Sequence, residues 1–168
     1  MLHEQFEAIH PFLDGNGRVG RLLITLFLIE RGRLSQPLLY LSTYFEAHRQ
    51  EYYTYLQNVR TDGDWNTWFM FFLNGVSETA KQAARQANQI NQLRDRTMKL
   101  LREKPKAVAL VDPLFQNPYL TVAKASQLLG VTHPTARQVL KILEGAGVIQ
   151  EVTGREWGRI YRADEIFR

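Results

Sequence analysis

His10 to Arg21 reads His-Pro-Phe-Leu-Asp-Gly-Asn-Gly-Arg-Val-Gly-Arg and sets an imidazole, a carboxylate, a flexible loop and two guanidiniums within one short stretch. Each of these groups has a use toward phosphate. Gly15 and Gly17 flank Asn16, so the backbone there can take positive φ and turn its N–H groups into a cradle for an anion. Arg18 and Arg21 are three apart, which on a helix puts both guanidiniums on one face, within reach of the same polyphosphate. Asp14 stands just ahead of the cradle, a lone carboxylate of the kind that holds Mg²⁺ beside phosphate oxygens and water. His10 carries an imidazole, the side chain type here suited to take a proton from a hydroxyl at neutral pH.

Three other phosphate or metal loops are excluded by spacing. A calcium loop starting at Asp14 would need Gly and Glu where Val19 and Thr25 stand. A Walker A loop needs Gly-Lys-Ser/Thr after its glycines, and a dinucleotide fingerprint follows a strand, whereas Glu4 to Ile9 reads as helix. After the cradle, Leu22, Leu23, Leu26, Phe27 and Ile29 recur at helical spacing up to Gly32, a C-terminal stop. A helix that begins at the cradle aims its unpaired N–H groups and positive dipole end at whatever the loop holds.

The stretch resembles the signature of the Fic family, His-Pro-Phe-x-Asp/Glu-Gly-Asn-Gly-Arg-x-x-Arg, and His10, Pro11, Phe12, Asp14, Gly15, Asn16, Gly17, Arg18 and Arg21 match it in register. The resemblance implies transfer of AMP from ATP to a Ser, Thr or Tyr hydroxyl of a protein, self-modification included, with release of pyrophosphate. It implies His10 as general base and Asp14 as the Mg²⁺ ligand. Gly15, Asn16, Gly17 and Arg18 would then hold the α and β phosphates, Arg21 the γ phosphate, and Phe12 would be a packing anchor. Tyr40 to Tyr44 and His48 to Leu56 resemble the segment that follows the signature in bacterial Fic proteins, which makes Tyr52 or Tyr53 a wall of the adenine pocket. Some Fic-like proteins move phosphate, UMP or phosphocholine instead; the Asp14 to Arg18 version favours AMP. The Fic core normally places several helices and a flap before the signature, so the chain is expected to be the C-terminal part of a longer protein. The inhibitory pattern Ser/Thr-x-x-x-Glu-Gly/Asn is not found: Glu144-Gly145 comes closest, with Leu140 where a hydroxyl is required.

The elements further along are read as follows. Pro37 and the Tyr40 region form a connection, a helix runs from Glu46 to Arg60, and Asp64 caps the next helix. That helix opens with Trp65, Trp68, Phe69, Phe72 and Leu73, too aromatic for a solvent face. From Ser77 to Glu103 it continues with a stripe of Val76, Ala80, Ala83, Ala87 and Ile90, suited to close packing within the chain or in a homodimer. Lys104-Pro105-Lys106 is the linker. A short helix from Val108 to Leu114 is followed by helices Thr121 to Leu129 and Thr132 to Glu144 around a turn at Gly130, then by strands Val148 to Val152 and Arg159 to Arg162.

This order resembles a winged helix-turn-helix. The fold class expected is therefore mainly α: a Fic-type helical core, incomplete at its N-terminus, over residues 1–104, then a small α+β winged helix-turn-helix domain over 105–168. In such a domain the second helix would present Thr132, His133, Thr135, Arg137, Gln138 and Lys141 to a DNA groove, with Arg155 in the wing near the phosphate backbone. A module for protein contacts is the alternative, and a DNA-binding regulator with a vestigial or nucleotide-sensing Fic part is the second functional reading.

Bulk properties bound these readings. With 168 residues, 45% of them hydrophobic, the chain can build one medium core or two small ones. It has no cysteine, which excludes a disulfide framework and thiolate metal sites, and it shows no apolar run long enough to cross a membrane; a cytoplasmic protein is expected. The net charge of +4 leans toward the C-terminal part, where residues 104–168 carry 9 Lys and Arg against 6 Asp and Glu.

Overall fold

The computed structural model describes residues 1–167; Arg168, the last residue of the expected second domain, lies outside them. The chain forms two compact units, residues 1–86 and 87–168, and the division falls inside one long helix.

The first unit is helical. Helix α1 (Leu2–Ile9) leads through the His10 to Gly15 loop into α2 (Asn16–Glu30); α3 (Leu41–Ala47), α4 (Arg49–Asp62) and the first half of α5 (Trp65–Leu100) follow. Its core joins Ile24, Leu41, Phe45, Tyr52, Leu56, Trp68 and Phe71, with Phe45 stacked between neighbouring rings. The single helix expected from Glu46 to Arg60 is two. His48 leaves helical ψ (φ −112°, ψ 36°), packs its ring on Tyr44 at 4.5 Å and pairs Nδ1 with Glu51 at 3.1 Å, so the chain restarts there. Asp64 caps α5 as the sequence suggests, its carboxylate accepting the Thr67 N–H at 3.1 Å.

The aromatic opening of α5 is only half buried. Trp68 and Phe71 enter the core, while Phe69 and Leu73 stay 41% and 58% exposed. Together with Leu2, Leu23, Phe27 and Phe72 they line an apolar groove of about 320 Å³. The physical reason is angular: residues 68 and 71 share the inward face, whereas 69 and 73 are turned about 100° and 140° from 68, where no described residue covers them. Along the small-residue stripe of α5, Ala80 and Ile90 are exposed, and Gly75 and Thr79 are the buried positions.

The second unit begins within α5 and continues through α6 (Pro105–Val108), α7 (Val111–Gln116), strand β1 (Tyr119–Thr121), α8 (Val122–Leu129), α9 (His133–Gly145), β2 (Gln150–Glu151), β3 (Ile160–Arg162) and α10 (Asp164–Phe167). The expected helix from Val108 to Leu114 is divided into α6 and α7. Pro113 has no N–H to continue a ladder and is tolerated only near a helix start, so α7 begins just before it. Thr121 caps α8 through its hydroxyl, and Gly130 closes that helix at φ 62°.

The strands form a three-stranded antiparallel sheet in the order β1-β3-β2, with Leu120 opposite Tyr161 and Glu151 opposite the same residue. Strand β1 is absent from the expected elements, and β2 is shorter than Val148 to Val152. Glu151 turns its carboxylate onto the N–H groups of Thr153 and Gly154, which takes the chain out of the ladder. Leu110, Val111, Leu114, Ala125, Leu140, Leu143 and Tyr161 fill the core beneath α8, α9 and the sheet.

Candidate active site

His10 ends α1 in the left-handed region (φ 49°, ψ 58°), the one non-glycine residue among those described with positive φ. Such a conformation costs an L-residue roughly 1–2 kcal/mol. Its N–H bonds to the carbonyl of Phe6 at 3.0 Å, closing the helix, and the chain turns into Pro11 with the imidazole exposed.

Asn16 holds the loop that follows. It is 2% exposed, its Oδ1 accepts the Phe12 N–H at 2.9 Å, and its Nδ2 donates to the Phe12 carbonyl at 2.5 Å. The Asn16 side chain is thus spent within the protein, and what it offers an anion is its backbone N–H. Gly15 sits at φ 80° as the N-cap of α2. The N–H groups of Asn16, Gly17 and Arg18 have no partner among the described residues, as expected for the first turn of a helix that starts in a cradle.

The two glycines have a second role. A Cβ on Gly15 would lie 3.3 Å from Nη2 of Arg18, and one on Gly17 would lie 3.2 Å from Nη1 of Arg21. Each arginine therefore folds back over the glycine one turn before it, which keeps both guanidiniums at the mouth of the loop. Asp14 is almost fully exposed, bonded to the Gly15 N–H at 2.6 Å and 3.4 Å from Arg18. No group of three or more His, Asp or Glu side chains is assembled for a metal among the described residues. The donor set suits Mg²⁺ held chiefly by a ligand's phosphates and one carboxylate, and does not suit an all-protein cage.

Beside His10 runs a groove of about 560 Å³, walled by Glu7, Tyr53, Gln57, Asn58 and Arg60. The two tyrosines expected at a nucleotide base part company here. Tyr53 is 53% exposed and lines this groove; Tyr52 is 2% exposed in the core, its hydroxyl 2.8 Å from Nε2 of His3. Phe12, the expected anchor, is 51% exposed and meets Phe6 along one side at 6.2 Å, because Asn16 fixes its backbone and leaves the ring at the surface.

Several polar residues of this unit escape a motif-based reading. His3 and Glu4 are each 6% exposed, and Glu4 pairs with Nε of Arg60 at 3.4 Å. Burial lowers the His3 pKa to about 4 and raises that of Glu7, against the pull of Arg21, His10 and Arg60. Gly20 explains the crowding: a Cβ there would stand 2.4 Å from Oε1 of Glu7 and 3.2 Å from Cε1 of His3, so α1 and α2 touch at that point. A glycine in the middle of an otherwise apolar helix was the available signal.

In the second unit, Arg137, Gln138 and Lys141 lie exposed on α9, Thr135 is half buried with its hydroxyl 3.1 Å from that of Thr132, and Arg155 is exposed in the β2–β3 turn. A cleft of about 400 Å³ brings Arg137 and Lys141 together with His133, Trp157 and Arg159. Arg155, Thr135 and Gln138 are not part of it.

Residues 1–28, which contain α1, the loop and most of α2, match the Fic/DOC family. The chain is 46% identical over 50 residues to a protein of Aquifex aeolicus (strain VF5) named "Probable protein adenylyltransferase", a match covering 30% of this chain and 16% of that protein. It is 37% identical over 79 residues to proteins named "Protein adenylyltransferase Fic" from Aedes aegypti and Culex quinquefasciatus, covering 47% of this chain and 14% of each. The matched part thus spans about a sixth of the length of these relatives. Residues 1–28 are thus similar to the Fic/DOC family.

Proposed function

We propose that the protein containing this chain is a protein adenylyltransferase, moving AMP from ATP to a hydroxyl of a protein substrate. One observation carries the reading: an exposed imidazole, three partnerless N–H groups at the start of α2 and two guanidiniums folded over glycines converge on one loop. In the reaction His10 takes the proton of the target hydroxyl, the oxygen forms a bond to the α phosphorus, and the bond to the β-phosphate oxygen breaks, releasing pyrophosphate. The N–H groups of Asn16, Gly17 and Arg18 and the Arg18 side chain offset the charge that builds on the phosphates. Arg21 meets the γ phosphate, and Tyr53 forms the wall for adenine. Asp14 is the residue to hold Mg²⁺, which when bound supplies further charge neutralisation at the phosphates.

The test uses the full-length protein with ATP labelled at the α or the γ position. Protein-bound label from the α position alone is expected, and His10→Ala should lower it by about 10²-fold or more. Retention of γ label would make the reaction phosphate transfer; labelling unaffected by His10→Ala would remove His10 from the chemistry.

A second reading, duplex DNA binding by residues 105–168 as a winged helix-turn-helix, is favoured by the charge distribution. Residues 87–168 carry 13 Lys and Arg against 8 Asp and Glu, while residues 1–86 carry 8 against 9. Arg137 and Lys141 have no acidic partner among the described residues, and both face the cleft beside α9. Binding that weakens steeply with salt, with a slope reduced by about one in Arg137→Ala, is the expected result; binding indifferent to salt rejects it.

A further inference from the structure

Trp157 is 82% exposed, more than any other large apolar side chain described in the second unit, and the other two tryptophans of the chain stand far away in sequence at 65 and 68. The turn that carries it is braced on both sides. The Glu151 carboxylate accepts the N–H groups of Thr153 at 2.8 Å and Gly154 at 3.1 Å, and the Val152 N–H meets the Ile160 carbonyl at 3.0 Å. Across the turn, Nε of Arg159 donates to the Arg155 carbonyl at 2.8 Å. The indole is thus held in water by an ordered loop, and little freedom is lost when a ligand meets it.

The same indole walls the cleft of about 400 Å³ that also takes in Arg137 and Lys141 of α9, with Arg159 from the turn. None of these three cations forms an ion pair among the described residues. Their setting is a hollow, near the lower end of ligand pockets at about 300–1,000 Å³, and not a ridge along which a stacked double helix could lie. A flat ring freed from its stack fits such a hollow. Stacking of one base on an aromatic side chain strengthens binding by about 5- to 150-fold and tolerates any sequence.

We propose that the cleft between α9 and the β2–β3 turn seats one unpaired nucleotide of a nucleic-acid strand, its base stacked on Trp157 and its phosphate held by Arg137, Lys141 and Arg159. Glu144 and Glu156 line the same cleft, and as carboxylates they accept from the amino group of a base. An acidic peptide would leave the indole idle and would meet those two carboxylates. The proposal goes beyond the duplex reading of residues 105–168 and shares with it only the attraction of the cations for phosphate.

Fluorescence anisotropy with the full-length protein and two labelled DNA probes tests it. One probe is a blunt duplex; the other has the same length and charge, but its last bases are mismatched and cannot pair. The frayed probe should bind about 5- to 30-fold more tightly and should quench tryptophan emission. Trp157→Ala should remove both the advantage and the quench, whereas Trp157→Phe, still aromatic, should keep most of the advantage. Arg137→Ala should weaken both probes and lower the salt slope by about one. Equal affinity for the two probes, or an advantage that survives Trp157→Ala, overturns the seat and leaves the duplex reading standing. Binding of the frayed probe alone supports the seat and removes the duplex reading; binding of neither removes both. Displacement of the frayed probe by polyglutamate or by a free 5′-mononucleotide at equal concentration would give the cleft to another ligand and overturn the proposal.

Discussion

The two units differ in what they hide from water. Residues 1–86 bury His3, Glu4, Asn16 and Thr79, whereas from residue 87 onward Thr97 is the one buried polar side chain among those described. The second core is aliphatic, with Leu110, Val111, Ala125, Leu140 and Leu143 fully enclosed. Burying polar groups costs stability unless each finds a partner, so their concentration in one unit marks where geometry matters more than stability. The second unit instead keeps its charge on the outside, where it can meet a partner through long-range attraction.

That contrast can be broken or sharpened by substitution. The largest effect is expected in the second core: Leu140→Ala should cost about 2–5 kcal/mol in chemical denaturation, with the loss confined to the transition of that unit. In the first unit Gly20→Ala should destabilise by about 1–3 kcal/mol, because the added methyl meets the Glu7 carboxylate and the edge of His3 where α1 and α2 touch. Asn16→Ala should cost about 1–3 kcal/mol and also lower nucleotide affinity, since it frees the loop that presents the N–H groups. A mutant that unfolds no more easily yet binds nucleotide normally would show that Asn16 does not set the cradle.

A smaller effect distinguishes the units by pH. The His3 pKa is lower in the folded state than in the unfolded chain, so the unfolded state binds the extra proton and stability falls with pH below about 6.5. The loss between pH 7 and pH 5 should be about 2 kcal/mol, and His3→Gln should flatten that limb of the stability curve. An unaltered limb would place the titration elsewhere.

The sequence reveals this division unevenly. The signature loop is legible because its geometry is local: Gly15 and Gly17 on either side of Asn16 start a helix that carries Arg18 and Arg21 about one turn on. The turn at Gly130 and the two helices around it follow from the same kind of short-range rule, while Thr121, expected inside the first of them, is its cap. Tyr52 and Tyr53 show where such rules stop. Adjacent in sequence and identical in type, they sit about 100° apart on α4, and only the packing of α1 against α4 decides which is wet. His3, Glu4, Glu7 and Arg60 depend on contacts across 49 or 56 positions in the chain, which no spacing rule can supply. Strand β1 escapes for a similar reason: three residues become a strand because β3 lies beside them.

The groove edged by Phe27, Phe69 and Leu73 has a practical consequence. A patch that water wets this poorly lowers its free energy by meeting anything greasy, another molecule of the same kind included. Preparations of residues 1–168 should grow turbid on concentration and clear with a mild non-ionic detergent, and an environment-sensitive dye should light up on the native protein before any heating. Replacing Leu73 with a lysine would then do more for handling in the tube than any change made to the well-sealed second core.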